Sequence, residues 1–196
     1  MKLFEQYQFQ PFIKETLQKL QFQEPTKIQK AVIPLVYKHR DVIGISQTGT
    51  GKTHAFLIPI MDMIETSMDC VQAVITAPTR ELAQQIYEQA KIFIEFNKDL
   101  RVSLIIGGKD KQKKPFQMLN VQPHLVIGTP GRIKDLSLDE QALKITTADI
   151  FVVDEADMTL EYGYLEDIDA VLGKMKDNFA DACLFSNHSS NVKTFP

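Results

Sequence analysis

The sequence predicts an α/β fold, with a mostly parallel sheet covered by helices on both faces. Short runs of apolar and β-branched residues alternate along the chain with longer amphipathic stretches, and this alternation is typical of βαβ units. The short runs are almost entirely apolar, as expected of strands that are buried on both faces. The chain has 196 residues, a length that suits one domain of this class.

The order of the elements places the candidate sites. Strands are predicted at 41–45, 71–76, 102–106, 125–127, 150–153 and 183–185, and helices at 25–37, 52–65, 80–96 and 165–176. Proline stands near the start of two of these helices, where a missing N–H costs little. Ligands of parallel sheets bind at the carboxyl ends of the strands, so the residues that follow each strand are the candidates for function.

The composition excludes several classes of protein. Apolar residues make up 44% and charged residues 24% of the chain, which is near the globular average and excludes disordered and fibrous proteins. The net charge of −3 argues against a histone-like protein that binds nucleic acid by bulk charge. Cys70 and Cys183 form no CxxC pair, and no apolar stretch is long enough to span a bilayer. We therefore expect a cytoplasmic protein with reduced cysteines and no membrane contact.

A phosphate-binding loop is predicted between the first strand and the helix at 52–65. It comprises Ser46, Gln47, Thr48, Gly49, Thr50, Gly51, Lys52 and Thr53, with serine at 46 where the strict pattern has glycine. In such a loop backbone N–H groups surround phosphate oxygens, the lysine reaches the β- and γ-phosphates, and the threonine hydroxyl holds Mg²⁺. A plain glycine-rich turn is the alternative. The order of strand, loop, Gly-Lys-Thr and helix favours nucleotide binding.

Two carboxylates follow the strand at 150–153, at the sheet edge that also carries the phosphate loop. Asp154 can hold Mg²⁺ through its water shell, and Glu155 can orient or deprotonate an attacking water. Acidic residues after a strand are otherwise common helix caps. Beside a phosphate loop the catalytic interpretation is favoured, with Lys52 offsetting charge on the γ-phosphate. His54 is given no metal or acid–base role, because the histidines lack ligand spacing.

The phosphate loop, together with Asp-Glu-Ala-Asp at 154–157, resembles the DEAD-box family of ATP-dependent RNA helicases. The matches extend over nearly the whole chain, and the wider sequence is most similar to bacterial cold-shock members of the family. The resemblance implies that residues 1–186 are a RecA-like, P-loop, N-terminal domain that binds ATP and Mg²⁺.

An adenine-binding segment is implied by the same resemblance. Residues 22–29 resemble the Q motif of the family, with Gln21 where glycine is usual. Pro25, Thr26 and Gln29 are implied to be binding residues, since glutamine can pair bidentately with the adenine edge. Phe4 lies 25 residues before Gln29, which is the spacing of the family's aromatic residue that stacks on the base.

Three further segments match RNA-contacting parts of the family, and each follows a predicted strand. They comprise Pro78, Thr79, Arg80, Gly107, Gly108, Thr129, Gly131 and Arg132. Hydroxyls and guanidinium groups suit phosphates, and glycine permits close approach of the backbone. Each segment alone would be interpreted as a turn or helix start, but three in the family's order favour RNA. Contacts of this kind read no bases, so we expect binding that is largely independent of RNA sequence.

The chain departs from the family after Ser186. The family has Ser-Ala-Thr there, bonded to the aspartate at position 157, and this segment links hydrolysis to strand separation. Here Asn187 and His188 follow instead. One allowed coding of the tail, shifted by one base after an alanine codon, continues as Ser-Ala-Thr-Ile-Pro. We therefore predict that residues 187–196 are frameshifted and pack loosely or pair with a neighbouring molecule, with a natural in-frame tail as the alternative.

The family's second RecA-like domain, which supplies arginines to the γ-phosphate, is expected to be absent from this chain. The resemblance implies an RNA helicase as the full-length protein, whereas the isolated domain, expected to be monomeric, should be nearly inactive. Two alternatives remain. One is a DNA translocase with the same loop, which the Q motif disfavours. The other is a nucleotide- and RNA-binding module without turnover, which is favoured for the isolated chain because half of the active site is missing.

Overall fold

The computed structural model describes residues 4–47, 49–107, 121–175, 181–186 and 191–194. Within these residues the strands are β1 Val42–Ile45, β2 Ala73–Thr76, β3 Val102–Ile105, β4 Leu125–Gly128, β5 Ile150–Val153, β6 Asp181–Ser186 and β7 Asn191–Thr194. They form one sheet in the order β3-β4-β2-β5-β6-β1-β7. Every adjacent pair is parallel except β1 with β7. The predicted α/β class is confirmed, and all six predicted strands are present with slightly shifted ends.

The helices of the described residues are α1 Pro11–Lys19, α2 Lys27–Val36, α3 Lys52–Met63, α4 Arg80–Phe96, α5 Pro130–Lys134, α6 Ala156–Glu161 and α7 Leu165–Lys174. Short helical turns lie at Phe4–Gln6, Asp135–Asp139 and Ile145–Thr147. The four predicted helices are present as α2, α3, α4 and α7, whereas α1, α5 and α6 were not predicted. None of the described helices has the length and apolarity needed to cross a bilayer.

Helices cover both faces of the sheet, and the strands divide their side chains between the two. In β5, Ile150 and Val152 join one apolar cluster, while Phe151 and Val153 join the other. The first cluster is completed by α1 to α4; the second is completed by α5, α7 and the segment between β4 and β5. Strands buried on both faces explain why the strand segments are apolar throughout instead of alternating.

A seventh strand follows β6 where a loosely packed tail was expected. The backbone of β7 pairs antiparallel with all four residues of β1, with Val42 opposite Thr194. The expectation of loose packing is therefore wrong for residues 191–194. The physical reason is that β1 would otherwise be an edge strand with unpaired backbone groups. Residues 187–190 and 195–196 lie outside the described residues, and the frameshift origin of the tail stays a prediction.

Candidate functional site

The phosphate loop lies between β1 and α3 as predicted. Gly49 and Gly51 have φ of 76° and 90°, a left-handed conformation that glycine adopts without steric cost. A Cβ on Gly51 would also lie 2.6 Å from the side-chain nitrogen of Gln29, so a larger residue here would have to displace the Gln29 amide as well as adopt a strained backbone. Thr48 lies outside the described residues.

The side chains of the loop bond to one another. The hydroxyls of Ser46 and Thr50 are 2.7 Å apart, and the Thr50 hydroxyl donates to the Gln47 carbonyl at 2.7 Å. Ser46 stands where the strict pattern has glycine, and it is buried. Its hydroxyl bonds to that of Thr50 and so connects the start of the loop to a later residue of it. These bonds hold the loop in a closed turn ahead of α3.

Lys52, the first residue of α3, is buried and its ammonium group contacts two partners. Its Nζ lies 3.5 Å from Oε1 of Glu155 and 3.4 Å from the carbonyl oxygen of Ser186. Three strand ends therefore meet at one lysine: the loop after β1, the carboxylate after β5, and the last residue of β6. Thr53, the next residue of α3, is half-buried and lines the same cavity as Lys52.

Asp154, the first of the two carboxylates that follow β5, is buried. Burial, followed by the charge of neighbouring Glu155, raises the pKa of Asp154 from 3.8 to about 6, although the Lys52 charge opposes this shift. Its Oδ1 is buried and has no hydrogen-bond partner among the described residues. An unpaired buried carboxylate oxygen, in a residue that lines the same cavity as Thr53, fits Mg²⁺, which prefers oxygen ligands and keeps several of its waters.

Glu155 has a left-handed backbone, with φ of 51° and ψ of 52°. Such a conformation costs a non-glycine residue free energy; Gln21, His39 and Gln141 share the positive φ, so it is not by itself a mark of function. Glu155 immediately precedes α6 but makes no side-chain cap of that helix. The alternative of a helix cap is therefore not supported for this residue, and its carboxylate instead faces Lys52.

The segment predicted to bind adenine is joined directly to the phosphate loop. Thr26 and Gln29 form a reciprocal cap of α2, in which Oε1 of Gln29 accepts from the Thr26 N–H at 2.9 Å. The side-chain nitrogen of Gln29 donates to the Gly51 carbonyl at 3.2 Å. A primary amide has two donor hydrogens and two acceptor sites. These two bonds use one donor and one acceptor of Gln29, so one donor and one acceptor remain for a base. Pro25 is buried just ahead of this cap.

Phe4 is placed differently from an open stacking platform. It is buried, and its ring lies nearly parallel to that of Phe22 with centroids 6.4 Å apart. Phe4 lines a cavity of about 920 Å³ beside α1, while Phe22 lines both that cavity and the one at the phosphate loop. Phe22 therefore connects the two, and stacking on Phe4 requires the base to reach the first cavity.

The cavity at the phosphate loop has a volume of about 550 Å³. Its lining comprises Phe22, Gly49, Gly51, Lys52, Thr53, His54, Asp154 and Glu155, together with Leu82, Gln85, Ile86 and Gln89 of α4. His54, to which the sequence assigned no metal or acid–base role, is part of this lining, and its ring meets the Phe22 ring edge-on with centroids 4.9 Å apart. Burial lowers the pKa of His54 to about 4, so its imidazole is neutral near pH 7 and adds no charge to the cavity.

A second cavity at the same sheet edge, of about 560 Å³, gathers the residues predicted to contact RNA. It is lined by Pro78, Thr79, Arg80, Gly107, Thr129, Gly131 and Arg132, together with Glu81, Asp135, Tyr162 and Tyr164. Gly108 lies outside the described residues. The two tyrosines were not predicted, because nothing in their own segment of sequence marks them as part of this surface.

The two arginines of this cavity differ in what they offer a phosphate. Arg80 is exposed, and its guanidinium group lies over the backbone of Gly107. Arg132 is buried and forms ion pairs with Glu140 and Asp135. The hydroxyl of Thr79 accepts from the Leu82 N–H at 3.2 Å and caps α4. Arg80 is thus presented to a ligand, whereas Arg132 chiefly fixes its own turn.

The residues predicted to couple hydrolysis to RNA lie close to the phosphate loop. The carbonyl of Ser186 accepts from the Ser46 N–H at 3.1 Å as well as from Lys52. Asp157 is half-buried in the first turn of α6, and α6 contacts β6. A movement of Ser186 at the end of β6 would therefore change its hydrogen bonds with Ser46 and Lys52 of the phosphate loop.

Comparison with known proteins agrees with this geometry. The chain is 51% identical over 193 residues to the DEAD-box ATP-dependent RNA helicase CshB of Listeria monocytogenes, and 51% identical over 194 residues to that of Bacillus subtilis. Each alignment covers 98% of this chain but only 44% of the relative, so the chain spans less than half the length of these proteins.

Solved structures show the same architecture. A DEAD-box protein from Methanococcus jannaschii, 30% identical, superposes with a TM-score of 0.84 over 96% of this chain and 51% of that one. A Saccharomyces cerevisiae Dbp5 variant bound to RNA and ADP-BeF3, 28% identical, gives 0.83 over 97% of this chain and 47% of that one. The sequence model of the DEAD/DEAH box helicases matches residues 26–194. The chain therefore belongs to the DEAD/DEAH box helicase family.

Proposed function

We propose that this chain is the ATP-binding, N-terminal domain of a DEAD-box ATP-dependent RNA helicase. One observation carries the proposal above the others. The phosphate loop and the carboxylates after β5 share a sheet edge with a cavity that presents an exposed arginine, Arg80. This arrangement supports a nucleotide site and a nucleic-acid site that lie side by side at one edge of the sheet.

Nucleotide binding is assigned to the phosphate loop, with Gln29 and Phe4 on the adenine side. Gln29 keeps one donor and one acceptor for the base, while its other bonds fix it to the loop. Thr53 and Asp154 would hold Mg²⁺, which supplies neutralising charge to the phosphates when bound. The unpaired Oδ1 of Asp154 is the structural support for this assignment.

Lys52 has to exchange partners when phosphate binds. Its ammonium group is held by the Glu155 carboxylate and the Ser186 carbonyl, and a triphosphate offers more negative charge than these two together. When Lys52 turns to the phosphates, the Glu155 carboxylate is released and can orient a water for attack on the γ-phosphate. The same movement changes the bonding of Ser186 and so couples the loop to the end of β6.

RNA binding is assigned to the cavity around Arg80. Arg80, Thr79 and Thr129 are the groups that suit phosphate oxygens. Gly107 and Gly131 allow an RNA strand to approach the protein backbone. Support comes from the Dbp5 variant solved with RNA and ADP-BeF3. Helicase activity needs a second domain, and the extra length of the CshB relatives has room for one. Cytoplasmic location and a monomeric state stay predictions.

Nucleotide titration of Lys52→Ala tests the proposal. With Mg²⁺ present, we expect the variant to bind a fluorescent ATP analogue about 10- to 100-fold more weakly, because a charged hydrogen bond contributes roughly 1.5–3 kcal/mol. Lys91→Ala is the matched control, since Lys91 pairs with Glu88 on the surface of α4, and its affinity should be unchanged. Equal affinity of the unaltered chain and Lys52→Ala would refute nucleotide binding at this loop.

The preference of the chain for RNA or DNA distinguishes an RNA helicase from the alternative, a DNA translocase. A surface that contacts phosphates alone cannot distinguish RNA from DNA, whereas contacts with the 2′-hydroxyl can. An enzyme that acts on RNA needs contacts with the 2′-hydroxyl in addition to those with phosphates, so the proposal requires that the chain bind single-stranded RNA more tightly than DNA of the same sequence in the presence of the ATP analogue. The reverse preference would favour the translocase.

A further inference from the structure

The cavity around Arg80, which is proposed to bind RNA, also contains two tyrosines. Neither tyrosine has been assigned a role in phosphate binding or in catalysis. Tyr162 and Tyr164 line the cavity together with Arg80 and Thr129. The side chain of Tyr162 is exposed, with 57% of its surface accessible, and Tyr164 is half-buried. A largely exposed ring at the rim of a polar cavity is a feature that packing within this chain does not explain.

The backbone holds this turn in one conformation. The Tyr162 N–H donates to the Met158 carbonyl at the end of α6, and the Tyr164 N–H donates to the Thr159 carbonyl. Between them Gly163 has φ of 77°, which lets the chain reverse without strain before α7 begins. Because the backbone is already held, binding at Tyr162 has to restrict only the side chain and not the turn itself.

Neighbouring residues serve as an internal comparison. Leu160 and Leu165 are exposed to 57% and 55%, almost the same extent as Tyr162, yet neither is among the residues that line the cavity. The ring at position 162 is therefore the exposed apolar group of this turn that faces the proposed RNA path.

The charges of the cavity suggest which part of a strand meets the tyrosines. Glu81 and Asp135 also line the cavity, and Asp135 is paired with Arg132. These carboxylates reduce the attraction for a second phosphate beside the one that Arg80 can bind. An uncharged group, a base, suits the aromatic part of the lining better, and bases stack on tyrosine rings regardless of their identity.

We propose that Tyr162, with Tyr164 beside it, stacks on a base of a single-stranded RNA whose phosphates are bound around Arg80. This inference rests on the proposed function, since it requires RNA in that cavity. It adds a base contact to a surface expected to bind the backbone alone. Bases within a duplex are already stacked on one another, so this contact favours single strands over duplexes at the same site.

Intrinsic fluorescence provides a direct measurement. The chain contains no tryptophan and five tyrosines, so its emission reports tyrosine alone. A base stacked on Tyr162 quenches that emission. We expect saturating single-stranded RNA, in the presence of the ATP analogue, to quench the unaltered chain and to lose most of this effect in Tyr162→Phe and Tyr164→Phe together, because both reporting phenols are then gone.

Affinity measurements with matched variants complete the test. For a short labelled single-stranded RNA, we expect Tyr162→Ala to weaken binding about 5- to 10-fold, near the lower end for a base–aromatic stack because the ring is partly solvated. Tyr162→Phe should bind normally, and Leu160→Ala should too. Against an RNA of the same length that carries abasic sites, Tyr162→Ala and the unaltered chain should bind equally.

The outcomes separate this inference from the function on which it rests. If Arg80→Ala weakens RNA binding but Tyr162→Ala does not, the stacking contact is refuted and the RNA cavity stands. If Tyr162→Ala weakens binding to abasic RNA as much as to normal RNA, the ring contacts sugar or phosphate and the base contact is refuted. If the unaltered chain binds no RNA, both proposals are refuted.

Discussion

At the scale of single residues, the buried charge of Asp154 lowers the free energy of unfolding of the ligand-free chain near neutral pH. Its carboxylate is buried beside a second carboxylate, and its Oδ1 has no partner among the described residues. The pKa of Asp154 therefore lies near 6 instead of 3.8. Because the folded pKa is raised, the favourable contribution of this group is complete below about pH 4 and is lost as the pH rises through 6.

We predict that Asp154→Asn stabilises the ligand-free chain by about 1–2 kcal/mol at pH 7.5, since one pKa unit corresponds to about 1.4 kcal/mol and part of it is screened. The neutral amide keeps the shape of the side chain without the buried charge. The gain should shrink toward pH 4, and urea denaturation at both pH values measures it. Asp139→Asn, at an exposed position, should change little. A destabilised Asp154→Asn at pH 7.5 would contradict this account.

Gln29 is predicted to set the preference for adenine. In Gln29→Ala the base loses a paired donor and acceptor, which costs about 1–3 kcal/mol of binding free energy, and the Gly51 carbonyl loses the bond that the Gln29 side-chain nitrogen donates to it. Titrations with ATP and GTP should show selectivity in the unaltered chain and its loss in the variant. Gln85→Ala, which lines the same cavity from α4, should keep it. Equal affinity of the unaltered chain for both nucleotides would be the contrary result.

Sequence patterns reached some of these residues and not others, for physical reasons. The phosphate loop is a continuous segment that follows one strand, and Asp154–Glu155 is a continuous segment that follows another. Their order along the chain was therefore sufficient to place them. Tyr162 reaches the RNA cavity only through a left-handed turn between two helices, and burial of Arg132 by Glu140 depends on a turn that has no sequence signature. Such contacts arise from tertiary packing, which a linear pattern does not record.

At the scale of elements, the predicted strands and the four longest runs of helix were recovered because their apolar patterns are strong. The missed helix α1 begins at a proline and packs against α4, but it is short. β7 was missed because Asn191–Thr194 carries no apolar alternation; its position follows from backbone pairing with β1. Backbone pairing stabilises an edge strand irrespective of its side chains, and sequence reasoning weighted the side chains alone.

The close approach of β3 to β4 allows a prediction at the scale of elements. A Cβ on Gly128 would lie 2.2 Å from the Ile105 carbonyl oxygen, so Gly128→Ala must push the two strands apart, at a cost of about 1–3 kcal/mol or more. Gly173 in α7 has no atom within 4 Å of such a Cβ, and Gly173→Ala should stabilise by about 0.4–1 kcal/mol. Thermal denaturation of both variants tests this; equal effects would contradict the packing described.

At the scale of the whole molecule, the distribution of charge explains how an acidic chain can bind nucleic acid. The net charge is −3, yet Arg80 is exposed at the sheet edge and the buried Arg132 is balanced by two carboxylates. As judged from the described residues, the attraction of the proposed site for RNA is therefore local and modest. Tight binding needs a second surface, and the relatives, of which this chain spans 44%, are long enough to contain one.

The isolated chain should bind nucleotide yet show little turnover, with or without RNA. It carries Lys52, Thr53, Asp154 and Glu155, but arginines facing the γ-phosphate are expected from a second domain, and such arginines contribute roughly 10³–10⁵ in rate in related phosphoryl transfers. Steady-state ATPase assays of this chain, and of the same chain joined to the second half of a CshB relative, measure the difference. Glu155→Gln in the joined protein should abolish activity while leaving nucleotide bound, because the amide cannot accept a proton from water. RNA-stimulated turnover by the chain alone, lost in Glu155→Gln, would show instead that one domain holds the complete active site.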